Sequence, residues 1–138
     1  MTLRRWLLAA SAGLATTSLL VLGLPACNTP FIPLPPPADP TFMPVAVADG
    51  MGGTRMMWQT SGPMGAVSAG AKVSIYNSSV GGGVIVRALT DGSSVAAPID
   101  GREGDQIELE YTAADGRGGP GICRILQQGL AQTECPRK

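Results

Sequence analysis

From residue 45 onward, glycine cuts this chain at short intervals, and that spacing leaves room for little except short strands. Four Asp-Gly pairs stand at 49–50, 91–92, 100–101 and 115–116, and Gly81-Gly82-Gly83 lies between the first and second of them. Asp-Gly favours turns that need a positive φ, and the triple glycine reads as a hairpin loop. The runs between these turns alternate. In Lys72-Val73-Ser74-Ile75-Tyr76-Asn77, polar and apolar residues follow one another with the period of a half-buried strand. The run 105–112 alternates more strictly, so Ile107, Leu109 and Tyr111 should face a core while Gln106, Glu108 and Glu110 face water. Val84-Ile85-Val86-Arg87-Ala88-Leu89 is β-branched and mostly apolar, which suits a central strand. Further strands are expected at 54–60, 94–99 and 122–127, with a short edge strand at 45–48; a helical pattern shows only at 126–132. Strands of this length and spacing predict an all-β fold, a sandwich of about seven strands.

Composition narrows the function classes. Lys plus Arg and Asp plus Glu number ten each, and the basic residues are scattered. Nucleic-acid binding needs a clustered positive surface, so that class is set aside. The chain has no histidine, hence no imidazole base or metal ligand. No nucleophile is paired with a visible base, and neither enzymatic activity nor a cofactor is expected.

The N-terminal segment has the three parts of an export signal. Arg4 and Arg5 precede an uncharged Leu- and Ala-rich stretch, 7–24, which ends in Leu24-Pro25-Ala26-Cys27. A small residue followed by cysteine resembles the lipobox of bacterial lipoproteins, although Pro25 departs from the usual pattern. The resemblance implies cleavage after Ala26, diacylglyceryl attachment at the Cys27 thiol and anchoring to a membrane. Asn28, rather than aspartate, follows the cysteine; by the same resemblance the expected location is the cell envelope, at the outer membrane. Conventional secretion and an uncleaved anchor are the competing readings, the second because eighteen residues approach the length of a membrane span.

Seven prolines fall between 28 and 44. They remove main-chain donors and hold φ near one value, so this stretch should be an extended tether, about 3.1 Å per residue and on the order of 50 Å long. The alternative is a ligand for a proline-binding groove, since Pro33-Leu34-Pro35-Pro36 fits PxxP. The expected organisation is therefore a signal peptide at 1–26, lipidated cysteine and linker at 27–44, and a sandwich at 45–138.

Within the domain, three stretches carry a second resemblance. They are Ala69-Gly70-Ala71-Lys72-Val73-Ser74-Ile75-Tyr76-Asn77, Val86-Arg87-Ala88-Leu89-Thr90-Asp91-Gly92-Ser93 and Gly104-Asp105-Gln106-Ile107-Glu108-Leu109. Their order is similar to that of bacterial immunoglobulin-like repeats, over roughly 69–119. This implies an immunoglobulin-like sandwich serving as a structural or protein-interaction module, with an envelope protein or a glycan as partner.

With Cys27 assigned to lipid, Cys123 and Cys135 remain, and an even pair in an exported chain reads as a disulfide. A redox or metal pair is the alternative; the spacing is not CxxC, and zinc would lack soft ligands. Asp100, Glu103 and Asp105 read as a solvated turn, with Ca²⁺ ligation as the competing reading. A glycan-binding or Ca²⁺-dependent adhesion module would use these carboxylates together with Trp58. Gly116-Arg117-Gly118-Gly119-Pro120-Gly121 fits GxGxxG, but no helix is expected after it, so a dinucleotide site is set aside. Core packing is expected of Met56, Met57 and Trp58.

Overall fold

A computed structural model describes residues 32–130 and 133–136. The export signal, Cys27 and Asn28 lie outside these residues. Among the described residues eight strands follow in order: β1 (Thr41–Ala48), β2 (Thr54–Gly62), β3 (Lys72–Asn77), β4 (Gly82–Arg87), β5 (Ser94–Val95), β6 (Gln106–Thr112), β7 (Ile122–Ile125) and β8 (Gly129–Leu130). They form two antiparallel sheets, β5-β2-β1-β8 and β4-β3-β6-β7. This is an immunoglobulin-like β-sandwich, with β1, β2 and β5 in one sheet and β3, β4, β6 and β7 in the other.

The alternation of β3 and β6 sets the core. These strands pair from Lys72↔Thr112 to Asn77↔Ile107, which puts Val73, Ile75, Ile107, Leu109 and Tyr111 on one face, and all five are buried. Phe42, Trp58, Ala96 and Ile99 meet them from the other sheet, and Leu126, just past β7, joins the same cluster. Burying a Phe, Ile or Leu side chain contributes about 1.5–3 kcal/mol. With few aromatics in the chain, Phe42, Trp58 and Tyr111 supply the bulk, and Ala71, Ala88 and Ala96 fill the narrow places.

The proline-rich stretch corrects the expected domain boundary. Strand β1 begins at Thr41, not at residue 45, and pairs with β2 from Thr41↔Ser61 to Ala48↔Thr54. Pro44 sits inside it for a geometric reason. The Asp49 amide donates to Gly53 O across the hairpin, so odd-numbered residues of β1 bond to β2 and even-numbered ones point away. Pro44 therefore lacks its donor on the side where β8 reaches only Thr41 and Phe42. Residues 32–40 are not a free spacer either: Pro40 is buried and Leu34 packs against the core.

Other expectations shift in detail. Gly81 is in the β3–β4 turn, but Gly82 and Gly83 belong to β4, so the loop is 78–81. β4 is an edge strand rather than a central one, because a β-branched run reports strand propensity and not sheet position. The run 94–99 is interrupted, with Pro98 lacking a donor, yet it stays beside β2: Ala96 N donates to Thr60 O, and Ile99 and Trp58 exchange main-chain bonds. Where the helical pattern was expected, β8 forms instead. Three Asp-Gly glycines, Gly50, Gly92 and Gly116, adopt positive φ. Gly101 does not; its carbonyl accepts from Trp58 Nε1 at 3.1 Å.

The aspartates of those three turns cap their own loops. Asp49 Oδ1 accepts from Met51 N and Gly53 N, Asp91 Oδ1 from the Ser93 hydroxyl and amide, and Asp115 from the Arg117 amide and guanidinium. These donors hold all three carboxyls below the ordinary aspartate value. The main cause is the Met51 amide at Asp49, the Ser93 hydroxyl at Asp91 and the Arg117 amide at Asp115.

Candidate functional site

The disulfide and the most buried arginine among the ion pairs of the described residues meet where the proline segment reaches the last long strand. Cys123 and Cys135 are joined by a disulfide, with Cα atoms 5.4 Å apart. This staple lays 133–135 along the outer edge of β7: Ile125 N donates to Thr133 O, and Cys135 N to Cys123 O. The edge of β7 thereby acquires a short antiparallel partner, with Arg124 opposite Glu134.

Arg124 then ties this hairpin to the N-terminal segment. Its Nε donates to Asp39 Oδ1 at 2.6 Å and its Nη1 to Cys123 O at 3.0 Å; Glu134 lies 3.9 Å away. The arginine side chain is only 13% exposed, so its charge is compensated locally rather than offered to solvent. A shallow groove of about 600 Å³ runs between the two segments, lined in part by Pro37, Asp39, Ile122, Arg124 and Glu134.

Three further bonds hold the segment. Ala38 N donates to Ala66 O at 3.1 Å, and Arg117 Nη1 to Ile32 O at 3.4 Å. The Tyr111 hydroxyl donates to Pro35 O, and burial raises that hydroxyl's pKa above the usual tyrosine range, with the nearby Arg117 charge acting in the opposite sense. Gly119 lies directly against the Tyr111 ring, with no room for a Cβ. The loop containing GxGxxG is thus a seat for this tyrosine, and β7 follows it. Tyr111→Phe should cost about 1 kcal/mol of stability, the net value of one neutral hydrogen bond, read as a lower midpoint in urea denaturation.

The other sequence candidates have structural partners. Asp105 Oδ2 accepts from Asn77 Nδ2 and from Arg102 N, both at 2.9 Å. Asp100 pairs with Arg55 at 3.4 Å. Together with Glu103 they do not converge on a common point, and no cluster of three potential metal ligands occurs among the described residues. In the structure Asp105 fastens the 100–105 loop, and Asp100 reaches across to Arg55. Asn77, fully buried, is the residue that sequence reasoning overlooked. Its amide bonds Asp100 O and Asp105, and its carbonyl accepts from Ser79 N; its place at the last inward position of an alternating strand was the available signal. Trp58 is 7% exposed, which removes it as a surface platform for a sugar ring. Met57 is buried as expected, whereas Met56 is exposed, because the β1–β2 hairpin carries it past the core.

The arrangement binds one stretch of chain to another. No protein-family model, curated protein or solved structure matches this chain.

Proposed function

We propose that this protein is a non-catalytic, lipid-anchored module of the bacterial cell envelope, a sandwich domain held to the outer membrane through Cys27 and serving a structural or protein-interaction role. The observation that carries this reading is the disulfide. Such bonds persist in oxidising compartments, and this one uses two of the three cysteines. The third stands directly after Leu24-Pro25-Ala26, behind a charged start and an apolar stretch.

The stitched proline segment changes what kind of tether this is. Only residues 28–31 separate Cys27 from Ile32, and the five steps between the two span at most about 18 Å of extended chain. The chain between Cys27 and the folded domain is therefore short, and the bonds at Ile32 and Pro35 would meet a pull on the anchor before Asp39 does.

Metabolic labelling with a radioactive or clickable fatty acid in a bacterial host tests the proposal. The parent chain should label and fractionate with membranes, and Cys27→Ala should lose both properties while keeping its β-rich circular dichroism. If Cys27→Ala labels as strongly as the parent, the lipid anchor is wrong.

A further inference from the structure

The four edges of the two sheets are not treated alike. The β7 edge is covered by 133–135, β5 is two residues long, and β8 is equally short. Strand β4 is different. Its six residues, Gly82-Gly83-Val84-Ile85-Val86-Arg87, pair with β3 in unbroken register and contain no proline, no bulge and one charge, at the very end. Short length, proline, bulges and inward charges are how edge strands normally avoid further pairing, and β4 has none of them.

The direction of its free main-chain groups follows from one bond. Ala88 N donates to Ala71 O at 2.8 Å, so even-numbered residues of this strand bond to β3. The N–H and C=O groups of Gly83, Ile85 and Arg87 point to the open side, and Ile85 is 69% exposed.

We propose that this edge is a dimerisation surface, on which a second copy of the chain adds its own β4 antiparallel about a two-fold axis at Ile85. In that register Ile85 faces Ile85 of the second copy, and Gly83 faces Arg87. All three facing pairs are of the hydrogen-bonded kind, giving about six main-chain bonds and one continuous sheet.

Charge complementarity favours a second copy over an unrelated strand. On the outer face, Arg87 shares a row with Lys72, while Gly83 shares a row with Tyr76 and Glu108. Within one copy the cationic row and the Glu108 row lie apart. The two-fold axis aligns them, so Arg87 of each copy extends over Gly83 of the other toward Tyr76 and Glu108. Gly83 offers no side chain to obstruct it, and the half-exposed Tyr76 ring lies against that glycine, an aromatic neighbour that a guanidinium favours. Arg87 has no ion pair among the described residues; its contact is Gly70 O at 3.4 Å.

Cysteine cross-linking in the full chain, in membranes, tests this. A hydrogen-bonded antiparallel pair has Cα atoms about 5.5 Å apart, within the disulfide range of roughly 4.4–6.8 Å. Ile85→Cys should therefore oxidise to a covalent dimer in high yield. Val80→Cys, in the adjacent turn and off the axis, should show no more than the background of the parent chain. In detergent, sedimentation should give a dimer for the parent and a monomer for Ile85→Lys; both substitutions are at a solvent-facing position and should preserve the circular dichroism. A monomeric parent, a dimer unaffected by Ile85→Lys, or Ile85→Cys linking chiefly to a protein of another mass would each overturn the proposal.

Discussion

Replacing Phe42 with alanine should destabilise the domain by about 3–5 kcal/mol, the range for deleting a buried phenylalanine. Phe42 is 0% exposed, lies between Thr60 of β2 and Gly129 of β8, and belongs to the central cluster. A domain of this size has only about 5–15 kcal/mol of total stability, and each kcal/mol shifts the melting midpoint by roughly 4–8 °C. The loss should therefore appear as a fall of tens of degrees, or as failure to fold at growth temperature. Met43, the exposed neighbour, provides the control, and Met43→Ala should stay within about 0.5 kcal/mol of the parent. An unchanged midpoint for Phe42→Ala would return 41–44 to the tether and place the start of the domain at residue 45.

Removing the disulfide, as Cys123→Ser with Cys135→Ser, should cost about 3 kcal/mol. That figure follows from the loop closed by cysteines twelve residues apart, on the chain-entropy model. A structural consequence accompanies the loss. Without the staple, 133–135 are held to β7 by few main-chain bonds, and Arg124 loses the neighbour that keeps Glu134 near it. The β7 edge should then open. Urea denaturation with and without reductant measures the energy, and hydrogen exchange at the Ile125 amide, which donates to Thr133 O, reports the edge. Equal urea midpoints in the two conditions would mean that the hairpin is held by its packing alone.

The readability of this fold differed from element to element. Strands β3 and β6 stand where alternation put them, with the same residues inward, because a strand half-buried on one face writes its environment directly into its sequence. The disulfide was legible from parity and the expected export. Residues 41–44 were not, because proline reports only local backbone limits. Those limits exclude a sheet interior in general but permit one particular position, an even-numbered residue facing an uncovered edge. The bond between Arg124 and Asp39 joins residues far apart in the chain, and nothing in either neighbourhood announces it.

What residue order settled here is whatever depends on immediate neighbours: strands rather than helices, turns at aspartate and glycine, and which faces are apolar. These follow from steric limits and periodicity that act over a few residues. Which strand ends a sheet, where the domain starts, and which carboxylates meet a cation depend on how distant segments pack, and so became visible only in three dimensions. Asp100 and Asp105 make the point. Five residues apart in one loop, they resembled a shared ligand set, yet packing gave one to Arg55 and the other to Asn77 and the Arg102 amide.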